Sequence, residues 1–194
     1  MSQIALFHPS FGVTPGVEDA AARLRAAGHD VLIVDQYDGR VFTDYDEAGA
    51  FVDEVGFPAL MARAVEAVAD LADGFLAMGF SNGGGMATYV ALQRPIGGVI
   101  LCSGALPVEF LGAGAWPTGV PAQLHATVDD PRRPAGHVES VMRSVSSAGA
   151  DAEFFQYPGK GHLFTDPSLA DEYDAAATER LWPRVLTFCA EHGR

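Results

Sequence analysis

Cysteine is nearly absent: Cys102, at the end of an apolar run, and Cys189, in a helical pattern, are the only two in 194 residues. Two such thiols imply no disulfide framework and suit buried packing positions. Basic residues are scarce as well, 12 Lys and Arg against 25 Asp and Glu, and the formal net charge is −13. So acidic a chain repels phosphate backbones and anionic lipid headgroups, so no nucleic acid or membrane partner is expected. No run reaches transmembrane length, and Met1 to Phe7 has neither a basic stretch nor an apolar one long enough for export. A soluble cytoplasmic protein is the expectation. GxGxxG, P-loop, H-E-x-x-H and paired-cysteine patterns are missing, so neither cofactor nor metal is expected.

What is present is enough apolar material, 48% of residues, to bury a core, and the length suits one domain spanning 1–194. Short apolar runs at Ile4 to His8, Val31 to Val34, Phe75 to Met78, Val99 to Cys102, Leu124 to Val128 and Phe154 to Tyr157 read as strands. Between them lie segments of helical period. Thr14-Pro15 opens the first, which Gly28 ends, and the helices after it carry Met61/Ala64/Val68, Met86/Val90, Val138/Val141/Val145 and Leu181/Val185/Phe188. Pro183 is expected to kink or restart the last helix. Gln36 to Val55 shows no clear period and reads as loop plus a short helix. Alternating apolar strands and helices predict an α/β domain: a doubly wound, mainly parallel sheet with helices on both faces. In such a sheet, functional groups sit on the loops after the strands.

One of those loops holds Gly79-Phe80-Ser81-Asn82-Gly83, a G-x-S-x-G set directly between a strand and a helix. A nucleophile there sits on a sharp, strained turn that only small neighbours permit, and the following helix directs N–H groups toward it. The Asn82 N–H is the natural first donor to an oxyanion. A hairpin turn at Asn82-Gly83 is the competing reading, but the segment after it has helical rather than alternating period. A serine hydroxyl needs a base within reach. Among six histidines, His29 and His192 lie near helix ends, His125 is mid-strand and His137 starts a helix. His8 ends the first strand but precedes the nucleophile. His162 follows the last strand in a glycine-rich loop, in the chain order Ser, Asp, His. The orienting carboxylate is then Asp129 or Asp130, at the end of the strand before.

Phe11-Gly12, Gly79-Phe80-Ser81-Asn82-Gly83-Gly84, Asp130-Pro131-Arg132-Arg133-Pro134 and Tyr157-Pro158-Gly159-Lys160-Gly161-His162-Leu163-Phe164 together resemble the dienelactone hydrolase family, from about Ile4 to Phe188. The resemblance implies a minimal α/β-hydrolase fold with Ser81 as nucleophile, Asp130 as the acid and His162 as base. It also implies an oxyanion N–H from Ser10. Better-known members carry a cysteine nucleophile with an acidic partner in the first loop, and arginines for a substrate carboxylate, one shortly after the histidine. Here Ser81, Pro9 and Asp166 stand at those positions, so a neutral or cationic ester is expected rather than a dienelactone.

The chain is too short for an inserted lid domain, so loops must build the pocket. Phe11 and Trp116 are the candidate substrate contacts, with Leu106 and Phe110 on the same loop as Trp116. The expected activity is hydrolysis of a small ester or lactone through an acyl-enzyme. The alternatives are a non-catalytic ligand-binding protein of the same fold, or an acyltransferase using the same three residues. Oligomeric state is not legible.

Overall fold

A computed structural model describes residues 1–193. Its centre is a six-stranded sheet made of β1 (Gln3–Phe7), β2 (Asp30–Val34), β3 (Leu76–Phe80), β4 (Gly98–Cys102), β5 (Ala122–Thr127) and β6 (Ala152–Tyr157). Every pairing is parallel, in the order β2-β1-β3-β4-β5-β6. The helices are α1 (Pro15–Ala26), α2 (Tyr45–Val55), α3 (Phe57–Ala67), α4 (Asn82–Gln93), α5 (His137–Ser147) and α6 (Ala175–His192).

Strands β1 to β4 are apolar at both parities because both faces are covered. Ile4, Leu6, Leu76, Met78, Ile100 and Cys102 pack under α1 and α6, against Val17, Leu24, Leu181, Val185 and Phe188. Their neighbours Ala5, Phe7, Ala77, Val99 and Leu101 face the other way, onto Leu60, Ala64, Met86, Val90 and Val141 of α3, α4 and α5. The chain moves outward from β1 to β2 and then returns to add β3 on the other side of β1. That reversal opens a crevice at the carboxyl ends of β1 and β3.

Two expectations are refined. The unpatterned stretch after Gln36 ends in an eleven-residue helix, α2, whose N-cap Asp44 accepts from the N–H groups of Asp46 and Glu47. α6 runs through Pro183 without restarting. Pro183 lies on the exposed face, where water can serve the carbonyl that the missing N–H leaves free. Between β4 and β5 there is one short 3-10 turn, Val108–Leu111, rather than an inserted helical domain. Both cysteines are free and buried, and burial raises both thiol pKa values, that of Cys189 to about 12.

Candidate active site

Ser81 leaves β3 and precedes α4 with φ 50° and ψ −116°, a region where non-glycine residues cost about 1–3 kcal/mol. Close backbone contacts hold it there. A Cβ on Gly79 would overlap the Gly83 carbonyl, one on Gly83 the Phe7 and His8 carbonyls, and one on Gly104 the Ser81 carbonyl. Three consecutive glycines, Gly83 to Gly85, weaken the start of α4 by about 1 kcal/mol each relative to alanine. What they permit is direct contact of the turn with the loops after β1 and β4. The Ser81 N–H donates to Cys102 O at 2.8 Å, fastening the turn to the neighbouring strand.

His162 reaches Ser81 from the loop after β6. Its Nε2 lies 2.6 Å from Ser81 Oγ and its Nδ1 2.8 Å from Asp130 Oδ2. Burial disfavours an ionised Asp130. The hydrogen bond and charge of His162, the Arg132 N–H at 2.8 Å and the Arg133 guanidinium outweigh that and hold its pKa below the ordinary value. An ionised carboxylate can only accept, so the Nδ1 of the imidazole carries the proton. Nε2 is then free to accept from the Ser81 hydroxyl. Asp130 is thus the member of the pair that meets His162; Asp129 is exposed and makes no bond to it.

The histidine loop is anchored on several sides. Thr127 Oγ1 donates to Gly161 O at 2.9 Å, and the Leu163 N–H donates to Glu172 Oε2 at 2.6 Å. The other Glu172 oxygen accepts from Tyr45 Oη at 2.8 Å. Burial, then the bond to Glu172 and its charge, raise the Tyr45 pKa and keep the phenol protonated. The Tyr45 ring carries the Arg132 guanidinium 3.3 Å from its centroid and stands edge-on to His162 at 6.5 Å.

A cavity of about 300 Å³ opens over Ser81 and His162. Ser10 and Asn82 line it, and among the described residues neither of their N–H groups is bonded to another protein group. Leu106, Phe57 and Pro134 supply apolar wall, and Arg132, His137 and Ser103 the polar part. No carboxylate lines it, so the acidity of the whole chain does not extend to the pocket and gives no basis there for a cationic substrate.

The two proposed substrate contacts lie elsewhere. Trp116 is 3% exposed in the core beside α5, its indole N–H donating to Val120 O at 2.8 Å. Phe11 is buried against the Tyr45 ring, with centroids 4.4 Å apart, and so backs the pocket wall instead of forming it. Large apolar side chains with a place in the core go there. Phe110 is mostly exposed and lies tilted against the His137 ring, with centroids 5.4 Å apart. Tyr45 and Phe57 were missed because no pattern in the sequence brings α2 and the start of α3 to the sheet edge. The positive φ of Ser103, 56°, likewise has no sequence signal.

The other buried histidines are committed to different partners. His8 Nδ1 donates to Pro9 O and its Nε2 accepts from the Gln36 N–H; burial, opposed by the Pro9 bond and Asp35, lowers its pKa. His125 lies between the Tyr157 hydroxyl and Gln123 Oε1, and burial with the nearby Arg184 lowers its pKa to about 3.

The model of the dienelactone hydrolase family matches residues 2–193. The chain belongs to the dienelactone hydrolase family. Among curated relatives, the Yersinia pestis protein named "Putative carboxymethylenebutenolidase" is 31% identical over 123 residues. That match takes in 59% of this chain and spans about half, 46%, of the relative. A crystal structure of a dienelactone hydrolase-like promiscuous phosphotriesterase from metagenomic libraries superposes with a TM-score of 0.85 at 24% identity, covering 100% of this chain and 87% of that one. A dienelactone hydrolase from Anabaena variabilis gives 0.68 at 18% identity, over 100% and 88%. Likeness at such identities concerns the fold, an α/β-hydrolase in its minimal form. No helix of this family member is long and apolar enough to cross a membrane among the described residues.

Proposed function

We propose that the protein hydrolyses a small neutral ester or lactone through an acyl-enzyme on Ser81. The observation that carries this reading is the continuous relay Ser81 Oγ, His162, Asp130, with links of 2.6 and 2.8 Å, at the floor of a cavity of about 300 Å³. Membership of the family supports the reaction class.

In the proposed sequence, Ser81 Oγ attacks the carbonyl carbon while His162 Nε2 takes its proton. Negative charge builds on the carbonyl oxygen, which the N–H groups of Ser10 and Asn82 stabilise together with the N-terminal end of α4. The imidazolium, held in place by Asp130, returns the proton to the departing alcohol. Water, deprotonated by the same nitrogen, then releases the acid and restores Ser81. The wall built from Phe57, Leu106 and Pro134 suits a short acyl chain or a lactone ring.

The test is labelling with a fluorophosphonate followed by peptide mapping, alongside release of p-nitrophenol from short-chain esters. Labelling at Ser81 that is lost in His162→Ala, with product acid and alcohol in equal amounts, is the expected result. Acyl products on an added alcohol in place of free acid would make the protein a transferase. Absence of labelling in folded protein would make it a binding module.

A further inference from the structure

Asp166 is a buried carboxylate that the proposed reaction does not use. It is 4% exposed, and no lysine, arginine or histidine among the described residues pairs with it. A buried charge is costly unless its oxygens are satisfied. Asp166 Oδ1 accepts from both the N–H and the hydroxyl of Ser168, at 2.9 and 2.6 Å. Oδ2 accepts from Thr14 Oγ1, across 152 residues of chain, at 2.6 Å. The carboxylate also lies against the first turn of α1, where a Cβ on Gly16 would overlap it.

Thr14 occupies the N-cap of α1, yet its hydroxyl makes no cap bond and is given to Asp166 instead. That is the single hydrogen bond joining the loop after β1 to the loop after β6 among the described residues. Both loops are stiff between their ends: Gly12 N–H bonds to Pro9 O at 3.0 Å, Thr14 N–H to Gly12 O at 2.9 Å, and Asp166 N–H to Leu163 O at 2.9 Å. Thr14 is four residues past Ser10 and Asp166 four past His162. The void between Pro9, Thr14, Phe80, Leu163 and Asp166 is about 10 Å³, no larger than one water, so this is a joint and not a ligand site.

We infer that Asp166, through Thr14, is a positioning residue that sets the distance between the base on one loop and the oxyanion donor on the other. The inference rests on the hydrolase reading given above. An aspartate at 166 thereby serves the geometry of the reaction instead of contacting substrate.

The test compares Thr14→Val, which keeps the shape and removes the hydroxyl, with Thr14→Ser, which keeps the hydroxyl. Thr14→Ala, which also removes the hydroxyl, takes the place of Thr14→Val if that variant does not fold. Hydrolysis of p-nitrophenyl acetate gives kcat and KM, thermal unfolding gives Tm, and amide exchange reports on 162–168. A displacement on the order of an ångström can cost about a hundredfold in rate, so Thr14→Val is expected to lose about ten- to a hundredfold in kcat. Its KM should stay within about twofold, the signature of an interaction felt in the transition state. Thr14→Ser should recover most of the rate. A Thr14→Val protein with lowered Tm but wild-type kcat overturns the inference, since the bond then only braces the fold. If wild-type Ser81 neither labels nor turns over, the hydrolase reading has failed, and exchange decides alone: unchanged protection at 162–168 in Thr14→Val overturns the coupling.

Discussion

At Ser81, hydroxyl, imidazole and carboxylate form one line, and its two outer members have different expected losses. Ser81→Ala should abolish fluorophosphonate labelling while leaving the fold intact. Asp130→Asn keeps the shape but frees the imidazole to take the wrong tautomer, and kcat should fall by about 10⁴-fold, measured under saturating ester. Asp130 also links pH to stability. Its folded pKa lies below its unfolded one, so its contribution is complete above the ordinary carboxylate value of 3.8 and is lost as pH falls below that toward the folded value. The Tm difference between wild type and Asp130→Asn should therefore be widest near neutrality and narrow below pH 3.8. A constant difference across that range would contradict the lowered carboxyl pKa of Asp130. Ser81 and His162 were legible in the sequence because strand, turn and glycine loop mark their places in the chain. The choice between Asp129 and Asp130 was not, because adjacent residues differ only in the direction of a side chain, and only the family resemblance pointed to Asp130.

At the scale of elements, the turn between β3 and α4 is held by backbone against backbone, which makes it intolerant of added atoms. Gly104→Ala would drive a methyl into the Ser81 carbonyl. It should cost about 1–3 kcal/mol in urea unfolding and reduce activity further than that loss explains. The strands were readable as apolar runs, with ends off by one or two residues: β3 continues to Phe80, beyond Met78. Trp116 shows the limit of such reading. An aromatic on a loop fits a pocket or a core equally well by composition, and the choice depends on where α5 packs. Trp116→Ala should destabilise by about 3–5 kcal/mol in urea unfolding, with KM for small esters little changed. A raised KM with full stability would return Trp116 to the pocket.

Across the whole molecule, all the groups proposed for chemistry come from loops after strands or from the first residue of α4, at one edge of the sheet. The α/β architecture was predictable because β1 to β4 are apolar at both parities, a pattern that a sheet covered on both faces supports. The pocket walls were not predictable from the same pattern. Tyr45 and Phe57 come from a stretch whose period is broken by turns, and they reach the site because α2 and α3 each begin at the pocket. Net charge also misled at this scale, since 25 acids say nothing about which of them reach the cavity. The two apolar walls have separate origins, Phe57 opening α3 and Leu106 on the loop after β4. Phe57 stands clear of the glycine contacts around Ser81, whereas Leu106 lies against Gly85 at the start of α4. In the proposed reaction, preference for acyl size is therefore open to retuning at Phe57, while the reacting atoms stay where the sheet has put them.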